Sequence, residues 1–202
     1  MELRGEDLAC ERGGRQVFAG LSFRAGAGDL LALRGPNGAG KTSLLRMIAG
    51  LIESAAGSLT LEGGAEGRGI GQQCHFIAHQ EALKPALTVE ENLAFWCDFL
   101  GGGDLRAALD AFALQALADL PAALLSAGQR RRLALSRLAL DGRPVWLLDE
   151  PTNALDATSQ MRLARLMGEH LAQGGVIVAA THVDLATKPT AVLDFEPPRR
   201  AA

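Results

Sequence analysis

The chain has 202 residues, 48% of them hydrophobic and 21% charged, with a formal net charge of −3. That balance predicts one packed domain, or one with a helical insertion, and argues against a general nucleic-acid binder. It contains no apolar run near the ~18 residues of a membrane-spanning helix, no charged-then-apolar leader and no C-x-x-C pair. Cys10, Cys74 and Cys97 are odd in number and scattered, so neither a disulfide framework nor a zinc site is indicated. A cytosolic chain is expected, with any membrane role left to a separate partner chain.

In chain order, residues 1–29 alternate polar and apolar positions between glycine turns. Leu3 to Ala9 and Val17 to Arg24 read as antiparallel strands. Leu30-Leu31-Ala32-Leu33 is a buried strand, and Ser43 to Ala49 reads as the start of a helix. Between them stands Gly35-Pro36-Asn37-Gly38-Ala39-Gly40-Lys41-Thr42, a G-x-x-x-x-G-K-T phosphate loop in the strand-turn-helix setting that motif needs. Its glycines let several N–H groups turn toward one anion, and the helix N-terminus adds a positive dipole end. Lys41 is placed to reach the β- and γ-phosphates and the Thr42 hydroxyl to ligate Mg²⁺, with Ser43 next in the loop.

Gly57 to Leu61 reads as a further strand, followed by a glycine-rich turn. His75 to Ala78 reads as a central strand. From Thr88 to Leu140 alanine and leucine recur at helical spacing. Thr88 and Glu91 form a capping-box pattern, and Pro121 breaks the next helix. Val145 to Leu148 returns to a buried strand. A helix over Ser159 to Ala172 and strands over Val176 to Ala180 and Ala191 to Phe195 complete the pattern. Pro197 to Arg200 reads as a solvated tail.

Two further stretches carry chemistry. Leu147-Leu148-Asp149-Glu150 is an apolar strand ending in two acids. Asp149 can hold Mg²⁺ directly or through water, and Glu150 can polarise a water toward the γ-phosphate. Leu125-Ser126-Ala127-Gly128-Gln129 precedes Arg130-Arg131-Arg132. There Ser126 reads as the N-cap of a helix starting at those arginines, which makes a second anion site.

Together these stretches resemble the ABC-type ATPases. Ser126 to Gln129 matches their L-S-G-G-Q signature with Ala127 in place of the first glycine. Thr152-Asn153-Ala154-Leu155-Asp156 stands at their D-loop, and Thr181-His182 at their switch histidine. The likeness runs from Leu3 to about Asp194. It implies an α/β fold: a P-loop core of mostly parallel sheet plus an antiparallel β-subdomain, built from 1–79 and 141–202, with a helical subdomain inserted at about 80–140. It implies ATP and Mg²⁺ as ligands and a head-to-tail dimer that sandwiches two ATP molecules. Gly35 to Thr42 of one chain then hold the phosphates while Ser126 and Gly128 of the other close over the γ-phosphate, flanked by Gln129 and Asp156. Glu150 and His182 are the expected catalytic pair.

Two positions depart from the family pattern. The adenine-stacking aromatic is replaced near Arg12, leaving Arg12 or Phe18 for that place. Counting back from Asn92, the Q-loop falls on His79, with Gln80 next. His79, Leu83 to Thr88, Leu21-Ser22-Phe23 and Trp146 to Asp156 resemble the branch that serves cytochrome c maturation, often called haem exporters. That branch implies membrane-spanning partner subunits and a peripheral place on the cytoplasmic face of the inner membrane, with haem involved only indirectly if at all. Cys74-His75 reads as structural rather than as a haem ligand pair. A soluble ABC ATPase that powers assembly or repair is the alternative; a P-loop kinase leaves Ser126 to Gln129 without a job. The segment from His79 to Leu125 is the expected dock for a membrane subunit. Within it Phe95, Trp96 and Phe99 are either core, or Trp96 lines an exposed apolar groove.

Overall fold

Apolar runs without alternation build the centre of the molecule. A computed structural model describes residues 1–182, 185 and 187–196; the tail expected at Pro197 to Arg200 lies outside them. In chain order the elements are β1 (Glu2–Arg12), β2 (Arg15–Gly26), β3 (Leu30–Arg34), α1 (Lys41–Ile48), β4 (Ala56–Glu62) and β5 (Cys74–Ile77). After them come α2 (Val89–Leu100), α3 (Leu105–Ala111), α4 (Ala127–Ser136), β6 (Val145–Asp149), α5 (Ala157–Ala172), β7 (Val176–Ala180) and β8 (Ala191–Asp194). Among the described residues no helix is long and apolar enough to cross a membrane.

Strands β5-β6-β7-β3-β8 form one sheet, parallel throughout. Every residue of β6 and β7 is buried, as expected of a parallel sheet covered on both faces. Side chains alternate between two cores. Trp146, Leu148, Ile177 and Ala179 join α2, α3, α4 and α5 on one face. Val145, Leu147, Val176 and Val178 join α1 and the antiparallel sheet β2-β1-β4 on the other. Burying a Leu or Val fully stabilises by about 1.5–3 kcal/mol, so the repeated alternation fixes the register of the strands.

The helical segment between β5 and β6 begins where the sequence places it. Thr88 Oγ1 accepts from Glu91 N–H at 3.1 Å, and the Glu91 carboxylate accepts from Thr88 N–H at 2.8 Å. Three expectations are corrected. The strand at His75 is not central but lies at the sheet edge, ending at Ile77. Its apolar character follows from covered faces, not from strands on both sides. The helix after Ser126 starts at Ala127 rather than Arg130, because Gln129 closes the capping box over the first turn. Trp96 is half-buried against the core with the Arg137 guanidinium 4.2 Å from its ring, whereas Phe99 is 69% exposed and Phe95 39%. The outward face of α2 therefore belongs to the two phenylalanines.

Candidate functional site

The C-terminal ends of β3 and β6 and the loop after β7 converge on one pocket of about 500 Å³. Gly40 opens α1 at φ +113°, and a Cβ there would fall 2.8 Å from the Phe18 ring and 2.9 Å from Val17. Only glycine fits. Having no side chain, it leaves the first-turn N–H groups of α1 free to meet an anion. The buried Lys41 donates to the carbonyls of Gly35 (2.6 Å) and Pro36 (3.0 Å), which holds its ammonium over the loop.

Across the pocket, Thr42 Oγ1 donates to Asp149 Oδ2 at 2.9 Å, and Asp149 is only 5% exposed. The next residue, Glu150, adopts φ +47°, a left-handed conformation that costs a non-glycine residue about 1–3 kcal/mol. Its N–H is held by the Ala180 carbonyl at 2.9 Å, which swings its side chain off the strand line and into the pocket. There Glu150 Oε1 lies 3.2 Å from His182 Nε2, and the same nitrogen lies 2.7 Å from Asn37 Oδ1. His79 joins the lining; Gln80 is exposed and does not.

The motif residues therefore divide. Asn37, Gly38, Gly40, Lys41, Thr42, Ser43, His79, Asp149, Glu150 and His182 share the pocket. Gly35 and Pro36 supply the carbonyls that Lys41 meets, and Ala39 is buried behind the loop. Ser126, Gly128, Gln129 and Asp156 stand apart from the pocket. Ser126 is exposed at the head of α4, its Oγ accepting from Gln129 N–H at 3.2 Å. A Cβ on Gly128 would fall 2.9 Å from the Ala154 carbonyl, so the loop packs directly on the segment before α5. Asp156 caps α5 by accepting from Ser159 N–H at 2.8 Å, and its hydrogen bonds with Ser159 hold its carboxyl below the usual range.

Sequence reasoning did not count Val17 or Asn153 among the site residues, yet both line the pocket. Asn153 follows the Asp-Glu-Pro-Thr turn and was reachable by adjacency; Val17 arrives only because β2 folds over Gly40. Arg12 sits at the far end of the β1–β2 hairpin, opposite Arg15. Phe18 packs edge-on against Phe195 at 5.8 Å. Cys74 donates to the Ile70 carbonyl at 3.1 Å, and burial pushes its thiol pKa up to about 12. His75 Nε2 lies 2.6 Å from Asp141 Oδ1. Both are engaged within the fold.

The family model for the ABC transporter matches residues 18–153. The chain belongs to that family. Curated relatives named cytochrome c biogenesis ATP-binding export protein CcmA, from Rhodopseudomonas palustris (strain BisB5) and Nitrobacter winogradskyi, are 58% identical over 92% of this chain and 94% of their own length. One from Bradyrhizobium diazoefficiens is 55% identical over the same shares. A solved ATP-binding subunit of an ABC transporter superposes with a TM-score of 0.82 at 27% identity, covering 91% of this chain and 80% of that one. A dimeric ATP-binding cassette in a post-hydrolysis state, bound to ADP and Pi, also reaches 0.82 at 21% identity, over 96% and 94% of the two chains, a likeness of fold. Membership of the ABC family makes this chain an ATP-binding ATPase with the α/β core and helical insertion described above.

Proposed function

We propose that this chain is the ATP-hydrolysing subunit of an export complex for cytochrome c biogenesis, in the haem-transporting translocase class. It docks as a peripheral subunit on membrane-spanning partners at the cytoplasmic face of the inner membrane. The relatives named CcmA support that assignment. The single observation that carries the chemistry is the convergence of Lys41, Thr42, Asp149, Glu150 and His182 on one pocket while Ser126 stays outside it.

The backbone N–H groups of α1 and the Lys41 ammonium bind the β- and γ-phosphates. The Glu150 carboxylate takes a proton from a water aligned on the γ-phosphorus. The water oxygen bonds to phosphorus, the bond to the β–γ bridging oxygen breaks, and ADP and phosphate leave. His182 contacts the γ-phosphate and holds the water in line, with Asn37 orienting its ring. A hydroxyl 2.9 Å from a buried carboxylate is an all-oxygen donor pair of the kind Mg²⁺ takes. Thr42 and Asp149 would hold that ion, which supplies charge neutralisation on the β- and γ-phosphates. Ser126 and Gly128 serve the pocket of a second copy, head to tail.

The test is genetic and biochemical together. Deleting this chain's gene in its own host is expected to abolish covalent haem in c-type cytochromes, read by haem stain. The wild-type gene should restore it and Glu150→Gln should not. Normal c-type cytochromes in the deletion strain would overturn the assignment to cytochrome c biogenesis.

A further inference from the structure

Arg131, on the second turn of α4, is 3% exposed, and its guanidinium is consumed by backbone carbonyls from two loops. Nη2 donates to Asp149 O at 2.8 Å and to Glu150 O at 2.7 Å. Nη1 donates to Ala78 O at 2.8 Å, and Nε reaches Pro151 O at 3.4 Å. The carbonyls of Asp149 and Glu150 belong to the peptide planes before and after the Glu150 Cα. Holding both on one nitrogen sets the angle between those planes, which is to set φ and ψ of Glu150. This is the residue at φ +47°. The Ala78 carbonyl belongs to the peptide that leads into His79, so the same fork grips the base of the other loop entering the pocket.

Burial opposes a charge here and lowers the Arg131 pKa from its usual value, against the raising influence of Glu81, Asp149 and Glu150. A planar, five-donor cation is the one side chain that reaches four carbonyls at once. Its helix opens with the exposed Ser126, five residues earlier. A displacement of α4 when a second copy's nucleotide meets Ser126 must therefore move the carbonyls around Glu150 and His79.

We propose that Arg131 is a positioning residue that fixes the backbone of Glu150 and links its aim to the Ser126 loop. The proposal rests on Glu150 being the proton acceptor assigned above. Its test is steady-state ATP hydrolysis by the full chain carrying Arg131→Lys or Arg131→Gln, alone and combined with Glu150→Gln. Circular dichroism and thermal unfolding check the fold. Lysine keeps the charge and glutamine keeps two N–H donors, so the lysine variant carries the test if the glutamine variant does not fold.

The expected result is a kcat lowered roughly tenfold or more in both single variants with KM for ATP within about threefold of wild type. Adding Arg131→Gln to Glu150→Gln should cost little more, because a residue that acts through Glu150 has nothing left to position. Unchanged kcat in a folded Arg131 variant, a parallel loss of kcat and ATP affinity, or a loss that multiplies fully with that of Glu150→Gln would overturn the proposal. Wild-type turnover by Glu150→Gln alone would instead overturn the proton-acceptor assignment beneath it, so the two failures read differently.

Discussion

His182 Nε2 lies 3.2 Å from Glu150 Oε1 and 2.7 Å from Asn37 Oδ1, so one imidazole ties the end of β6 to the phosphate loop. The attacking water proposed above would sit beside this bridge, between the Glu150 carboxylate and the amides of the phosphate loop. Glu150→Gln is expected to keep ATP binding and lose turnover by at least ~10²-fold, the scale of a missing general base. On the proposed head-to-tail dimer, which product formation would reopen, it should also accumulate as an ATP-bound dimer. ATPase assays paired with gel filtration in ATP check both; a variant that hydrolyses ATP at the wild-type rate would remove Glu150 from the chemistry.

The pH dependence of stability is expected to carry a His170 signature. Its ring stacks on Trp146 at 3.8 Å, and a Cβ on Gly175 would fall 2.2 Å from its Nε2. Burial lowers its pKa from 6.5 to about 4; hydrogen bonding of the ring to the Val176 and Pro144 backbone opposes the fall, and the His75 charge adds to it. Between those pH values the unfolded chain holds a proton that the folded chain refuses, so acidification favours unfolding. After allowance for solvent screening at a part-exposed ring the loss is on the order of 2 kcal/mol. Thermal unfolding of wild type from pH 6.5 down to 4 should therefore fall more steeply than that of His170→Phe, which keeps the stack and cannot titrate. Parallel curves would show that His170 is not the group responsible.

Helix α2 presents Phe99 and Phe95 outward and Trp96 inward. Lys84 Nζ sits 3.6 Å above the Phe95 ring, and Phe95 and Phe99 stack at 6.4 Å. Phe99→Ser removes a largely exposed ring and its contacts with Phe95 and Trp96, so it should cost no more than about 1.5 kcal/mol of stability while weakening co-purification with membrane subunits. Trp96→Ala should do the reverse and lower the unfolding temperature, because it uncovers core and strips the ring from Arg137. Phe99→Ser with full recovery of the membrane complex would place the docking surface elsewhere.

Local signals were legible in the sequence and tertiary ones were not. The G-x-x-x-x-G-K-T turn, the capping box at Thr88 and the apolar runs of β3, β6 and β7 depend on residues within one turn or strand, so spacing alone exposes them. The strand at His75 reads as central because covered faces, not neighbours, set its composition. Gln80 and His79 are adjacent in sequence and indistinguishable there; the chain direction after β5 turns only His79 into the pocket. Arg131 reads as one of three arginines on a polar helix start. Its burial is decided by carbonyls 18, 19 and 53 residues away, and a backbone carbonyl leaves no mark on residue type. Val17 reaches the pocket by the packing of β2 over Gly40, again a relation between distant segments.

The head-to-tail composite site is the centre of the functional account, and mixing two disabled chains tests it most directly. Lys41→Ala removes a charged donor to phosphate, worth roughly 1.5–3 kcal/mol of binding. Ser126→Arg leaves each chain's own pocket intact and blocks the face offered to its neighbour. Each variant alone is expected to be nearly inactive. In a mixed dimer the intact pocket of the Ser126→Arg chain meets the intact Ser126 of the Lys41→Ala chain, which rebuilds one whole site. The mixture should therefore recover ATPase activity toward a quarter of the wild-type level, one site in half of the dimers, with turnover rising as chain concentration rises. No recovery on mixing, or full turnover by isolated monomers of either variant, would contradict the account.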